Sequence, residues 1–276
     1  MAVLPLRPLT VGELLDAAVA LLHRHARPML VAAVGLAALE QALLYPLRLL
    51  AQVQPPGYFP PHDDRIAAYW LMLSFGLATE ATVVAALGGL AARAATGVVL
   101  TRPAPGWRLL DPRRGRVPLI ALLALVVGAA AGLGAFAGYL PWLVAYGLLG
   151  LAVPALVIDE TGPLRALGRS VVLSVRHGLR ALWVRLVGYL VWLLIRSALA
   201  VGGLALVEFV ASTDQWIWPV GVLAWILVNA IAYSTLACLD AVLHLETRMR
   251  TEGLDIWLAR AARHQLTPAT LAVHRG

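Results

Sequence analysis

Apolar residues fall into six long runs, at about 29–50, 66–91, 118–138, 139–158, 182–209 and 217–244. Arginine, proline and acidic residues collect between them. A bilayer core of ~30 Å takes about 20 residues of helix to cross, so each run predicts one membrane-spanning helix. The third and fourth runs nearly touch. A tight turn near Gly138 and Pro141 must separate them; without it the count falls to five and the chain ends on the opposite side.

The pattern changes from uniformly apolar to two-faced in the segments 10–27 and 163–181. Thr10 and Glu13 have the spacing of a capping box, in which each side chain satisfies the other residue's backbone amide. Val11, Leu14, Leu15, Ala18 and Leu22 then share one helical face, opposite Glu13, Asp16, His23, Arg24 and Arg27. After Pro163, Leu164, Leu167, Val171, Val175, Leu179 and Leu182 form one stripe, and Arg165, Arg169, Arg176 and Arg180 another. Such helices lie at a membrane interface or pack on the protein's own end; both readings stand. In the tail 245–276, the segment 251–264 is a third candidate, with Leu254, Trp257, Leu258 and Ala261 on its apolar side.

Composition sharpens this into an all-α polytopic membrane bundle forming a single domain over 1–276. Of 276 residues, 61% are hydrophobic and 13% charged, against roughly 25% charged in soluble domains. The spans leave no room for a separate soluble enzyme. The first eight residues carry two prolines and no apolar core, so the first span is expected to serve as an uncleaved signal anchor.

The net charge is +7, and every basic side chain other than histidine is arginine. Arginines crowd the segments 1–28, 92–117, 159–181 and 245–276, whereas the intervening loops hold only Arg65. By the positive-inside rule, both termini are expected in the cytoplasm, across a plasma (inner) membrane. Tyr58, Phe59, Tyr69, Trp70, Tyr139, Trp142, Trp216 and Trp218 border the other side, where aromatic rings favour the headgroup level. Anionic headgroups are the expected partner of the arginine-rich face. Nucleic acid is disfavoured, because the arginines flank spans instead of forming one basic face.

Polar residues inside the spans are the candidates for chemistry, since a charge at mid-membrane costs at least about 2.5–3.5 kcal/mol. Glu40, Glu80, Arg196 and Asn229 lie near the middles of the first, second, fifth and sixth spans and are expected to share one layer. Arg196 is expected to pair with Glu80, Glu40 or both. The layer is either a buried latch that fixes helix register or a proton or anion pathway. Asp240 and His244, one turn apart near the end of the last span, are expected to hydrogen-bond to each other. Arg48 and Arg185 are expected to snorkel to headgroups. Pro46 and Pro154 are expected to kink their spans. Gly128, Gly132, Gly134 and Gly138 predict close packing of the third span.

No catalytic motif, metal set or cofactor fingerprint is present. The single Cys238 sits in an apolar run and excludes an intrachain disulfide. An enzyme is therefore not expected.

Three stretches carry a resemblance: RPLTVGELLDAAVALLHRHARPML from Arg7, PALVIDETGPLRALGRSVVLSVRHGLRALW from Pro154, and RMRTEGLD from Arg248. Together they resemble a group of bacterial membrane proteins, common in actinobacteria, related to the membrane domain attached to some glycerophosphodiester phosphodiesterases. The resemblance implies fold and topology. It carries over no catalytic residue, because catalysis in that family belongs to a separate barrel domain. The expectation from sequence is a non-catalytic scaffold or partner subunit for another envelope protein or for a second copy of the chain. The alternative is a transporter or lipid-handling protein that uses the Glu40, Glu80 and Arg196 layer.

Overall fold

Thr10 begins the first helix as the spacing predicts: the Glu13 amide donates to its hydroxyl at 3.3 Å, and the Thr10 amide donates to Glu13 Oε2 at 2.7 Å. That backbone bond, with Arg7 beside it, holds the exposed Glu13 carboxyl down at about 2. In the computed structural model, which describes residues 7–53, 63–100, 106–114, 116–210, 217–261 and 271–272, helices dominate and no strand occurs among the described residues. The helices are α1 (Val11–Arg24), α2 (Ala26–Ala51), α3 (Ile66–Val99), α4 (Val117–Phe136), α5 (Tyr139–Leu149), α6 (Ala152–Ile158), α7 (Pro163–Val210), α8 (Ile217–Glu252) and α9 (Leu254–Ala261).

Six stretches are long and apolar enough to cross a membrane: α2, α3, α4, α5 with α6, the 178–199 part of α7, and most of α8. The chain is thus an all-α polytopic membrane bundle. Its outer surface fits hydrocarbon as solvent, with Leu39, Leu125, Leu194 and Leu223 all more than half exposed. The tight turn after α4 exists. Gly138 takes φ 128, and Gly134 lies so close to Pro141 and Trp142 that an added Cβ would fall 2.9 Å from their backbone. The third and fourth apolar runs are therefore two separate helical stretches, each long enough to cross a membrane.

α3 and α8 form the centre. α3 packs on α2, α4, α6 and α8, and α8 packs on α1, α2, α3 and α7. Small residues permit this: a Cβ on Gly128 would lie 1.8 Å from Thr82 Oγ1, and one on Gly132 would lie 2.6 Å from Ala78 Cβ. The glycine-rich third span packs closely on α3.

The helices extend beyond the apolar runs. α3 continues to Val99 and α8 to Glu252, because nothing in those arginine-rich turns breaks a helix. The segment 163–181 and the fifth span are one assigned helix, α7. Gly178 and Leu179 inside it have φ 68 and 62, a left-handed step that L residues rarely take and that marks an elbow between the two parts. The fourth span is broken at Gly150–Leu151. Pro154 explains the break, since proline has no amide to donate to the Gly150 carbonyl and its ring crowds that turn. Pro46 lies inside α2.

The amphipathic helices behave differently from each other. α1 buries Leu14, Ala17, Ala18, Leu21 and Leu22 against the protein, chiefly on α8. The first part of α7 does the reverse. It turns Ala166, Ser170, Leu173 and Ser174 inward and leaves Leu164 85% exposed, with Val172 and Val175 exposed too. Ser170 and Ser174 both donate to the Leu148 carbonyl, at 2.6 and 3.4 Å, near the break in the fourth span. α9 buries Leu254 and Leu258 and leaves Trp257 exposed; residues 262–264 lie outside the described residues.

The two ends of the bundle differ in chemistry. At one, Trp70 stacks edge-on against Tyr139 and donates to the Phe136 carbonyl, and Tyr45 meets Trp218. Tyr58, Phe59, Trp216 and the prolines at 55, 56, 60 and 61 lie outside the described residues. At the other end Arg93, Arg116, Arg169, Arg180, Arg248 and Arg250 bond to neighbouring segments.

Candidate functional site

α8 carries a polar stripe along its inner face. Asn229, Tyr233, Asp240, His244 and Arg248 recur at steps of four or seven residues, which keep one helical face, and all are buried. Each level of the stripe meets different residues.

At the level of Asn229 and Tyr233 lies the layer expected from the sequence. Arg196 on α7 donates from Nη2 to Glu80 Oε1 on α3 at 2.9 Å and from Nη1 to Asn229 Oδ1 at 3.4 Å. Its guanidinium lies 5.6 Å from the ring centre of Tyr189 and 5.8 Å from that of Tyr233. Glu40 on α2 joins the layer without pairing to Arg196. The Tyr233 hydroxyl donates to it, with oxygen distances of 2.9 and 3.1 Å, and Thr79 Oγ1 lies 3.2 Å away. Glu80 thus has a cation, while Glu40 has hydroxyls. Thr79 and Glu80 are adjacent on α3 and so point about 100° apart, one toward α2 and the other toward α7.

A cavity of about 260 Å³ opens within this layer, between α2, α3, α7 and α8. Glu40, Gln41, Arg48, Glu80, Arg196 and Tyr233 are among its walls. The exposed Leu193 and Ser197 also line it. Buried Gln41 Nε2 and Arg196 Nε have no hydrogen-bond partner among the described residues. A second cavity of about 370 Å³ lies between α2, α3 and α4, and Glu40 lines this one as well.

Arg48 and Arg185 do not reach outward as the sequence suggested. Arg48 is 1% exposed and donates from Nη2 to Gln41 Oε1 at 2.6 Å. Arg185 grips both carboxylate oxygens of Asp240, at 2.5 and 2.9 Å, and lies 4.0 Å from the centre of the Tyr146 ring. Sequence depth does not fix helix rotation, and a bidentate carboxylate holds the guanidinium inside. The break in the fourth span makes room for it: a Cβ on Gly150 would lie 1.8 Å from Arg185 Cζ.

The expected Asp240–His244 hydrogen bond is therefore absent. Asp240 is taken by Arg185, and His244 Nε2 lies 2.9 Å from Asp159 Oδ1 instead. Asp159, just past α6, is the hub of the arginine-rich end. Arg248 donates to it at 2.7 Å, and Arg169 contacts its other oxygen. Burial alone would raise the Asp159 carboxyl; His244, Arg248 and Arg169 outweigh burial and hold it at about 2. Arg169 and Arg248 also share Glu252 Oε2, at 2.8 and 2.9 Å. Glu246 forms a second hub, contacting Arg180 at 3.1 Å, Arg250, and the Leu9 amide at 3.3 Å.

The sequence reading missed Tyr233, Thr79, Gln41, Tyr189 and Asp159. Tyr233 was legible as one turn beyond Asn229 on the α8 stripe. Asp159 carried no signal, since an acid next to a turn is ordinary. No group of three or more metal-ligating side chains converges among the described residues.

Family models, curated proteins and solved structures were all compared with the chain, and none matches it. The resemblance to phosphodiesterase-linked membrane domains rests on the three sequence stretches alone.

Proposed function

We propose that this protein is a membrane transporter or lipid-handling protein that takes a polar group into the cavity bounded by Glu40, Glu80, Arg196 and Tyr233. The observation that carries this reading is the cavity itself, about 260 Å³ of space among two acids and two arginines inside the bundle. A latch serving only to fix helix register needs the Glu80–Arg196 contact and no space beside it. A sealed core beside a lipid- or partner-facing groove would have favoured the scaffold reading expected from sequence. A cavity lined by apolar side chains with a few convergent polar groups is the usual form of a small-ligand site. The arginine-rich end is read as cytoplasmic, in a plasma membrane, with anionic lipid around it.

Cysteine labelling in proteoliposomes tests both parts, in a Cys238→Ala background. Ser197→Cys and, independently, Leu73→Cys are expected to react with a small hydrophilic methanethiosulfonate. Trp107→Cys, on the arginine-rich end, is expected to react only from the cytoplasmic face of oriented native membrane vesicles. Failure of both cavity cysteines to react from either face returns the scaffold reading. Reaction of Trp107→Cys from the outer face overturns the orientation.

A further inference from the structure

The two cavities meet the same carboxylate. In the second, between α2, α3 and α4, Glu40 is the one charged residue among the described residues of the wall, and Thr79 and Thr82 supply its hydroxyls. The remaining wall is hydrocarbon, and four of its members, Leu39, Leu43, Phe75 and Leu125, are exposed on the outer surface of the bundle. In a bilayer that surface faces lipid. The groove therefore runs from acyl chains to a buried acid.

Glu80 shows what such an acid ordinarily has at this depth: a guanidinium at 2.9 Å. Glu40 is 3% exposed, and its partners are the hydroxyls of Tyr233 and Thr79. A carboxylate away from water is stabilised most by a hydrogen-bonding cation. Thr79 has other acceptors for its single proton, the Gly76 carbonyl at 2.9 Å and the Phe75 carbonyl at 3.1 Å. Its hydroxyl can turn away from Glu40 without losing a hydrogen bond, and the one Tyr233 proton is best placed on Oε2 at 2.9 Å, so Oε1 keeps a lone pair to accept from a ligand. Among the described residues, no arginine lines the groove to repel a cation.

We infer that Glu40 is the recognition point for an amphiphile with an ammonium head, whose alkyl tail lies in the α2–α3–α4 groove. The inference rests on the transport or lipid-handling reading and names its substrate class. The head enters from the groove side, replaces the missing cation at Glu40, and from there borders the polar cavity.

Three probes of equal chain length test this on the full-length protein in non-ionic detergent: dodecylamine, dodecanol and dodecanoate. The shift in thermal unfolding against ligand concentration gives the apparent affinity. Wild type is expected to bind the amine roughly ten-fold or more tightly than the alcohol, a difference of about 1.4 kcal/mol or more, and the acid most weakly. Glu40→Gln is expected to bring amine and alcohol to parity. Ala129→Trp, which adds bulk at an exposed position of the groove wall, is expected to weaken all three. Equal binding of the amine and the alcohol by wild type overturns the inference, as does an amine preference that survives Glu40→Gln or amine binding that Ala129→Trp leaves as tight as in wild type. The wild-type comparison needs no variant to fold. If the cavity cysteines label and the amine shows no preference, the ammonium inference falls while the transport reading stands; the opposite pair of results removes the transport reading and keeps the binding site.

Discussion

The two polar regions of this bundle satisfy their charges in different ways. At the arginine-rich end two hub acids each meet two guanidiniums: Asp159 meets Arg169 and Arg248, with the His244 ring as a further hydrogen-bond partner, and Glu246 meets Arg180 and Arg250. The groups are shared among α6, α7 and α8, and they close on one another. In the middle of the bundle the pairing is sparse. Glu80 has one guanidinium, Glu40 has two hydroxyls, and open space adjoins both. A fully satisfied polar network rigidifies the elements that share it. The contrast is between a closed ion network and a polar layer that borders a cavity.

Removing the hub of the saturated region should have the largest effect. Asp159→Ala leaves Arg169, Arg248 and His244 without their common acceptor. A loss of about 3–5 kcal/mol is expected, read as a collapse in folded yield and in thermal unfolding temperature in detergent. A near-neutral result would show that the network is decoration and would undo the contrast. Arg196→Ala comes next, with a loss of roughly 2–3 kcal/mol, since it strands Glu80 beside a cavity that offers partial relief. The exchange of Arg196→Glu with Glu80→Arg is expected to recover part of that yield; no recovery would mean that the pair is incidental to register. The smallest effect is acid titration. The Asp159 carboxyl is lowered in the folded state from its ordinary 3.8 to about 2, so its stabilisation is full above about 4 and disappears as pH falls toward about 2. It amounts to about 2 kcal/mol. Wild type should lose stability over that window, and Asp159→Asn should show a flatter profile.

Much of this was legible in the chain because the bilayer imposes simple rules. Span length depends on one property of one segment, and it locates six spans. Border position was less legible: Trp142, expected at the headgroup level, is buried against Tyr146 and Tyr189. The Glu80–Arg196 pair was legible for a related reason, as charges at matching depth seek each other. Rotation about each helix axis was not legible. Arg185 and Arg48 sit where snorkelling is possible, and only packing turns them inward. Asp240 and His244 share a face but not a level, so Asp240 finds Arg185 on α7 and His244 finds Asp159 just past α6. The apolar stripe of the α7 arm is real, yet the small residues Ala166, Ser170 and Ser174 make its protein contact. In α1 the apolar stripe itself makes that contact. Periodicity identifies both helices as two-faced without saying which face meets protein.

The grip on Leu9 bears on how the molecule is made. Its amide donates to Glu246, 237 residues later, and its carbonyl accepts from Arg180 and Arg250. At about 5–20 residues per second, translation leaves the amino-terminal helix roughly ten to fifty seconds without the partner it docks on. During that interval its leucines need another apolar shelter, and the membrane surface is the one at hand. Closure of the amino-terminal helix onto α8 is thus among the last steps of assembly and follows synthesis of the final span.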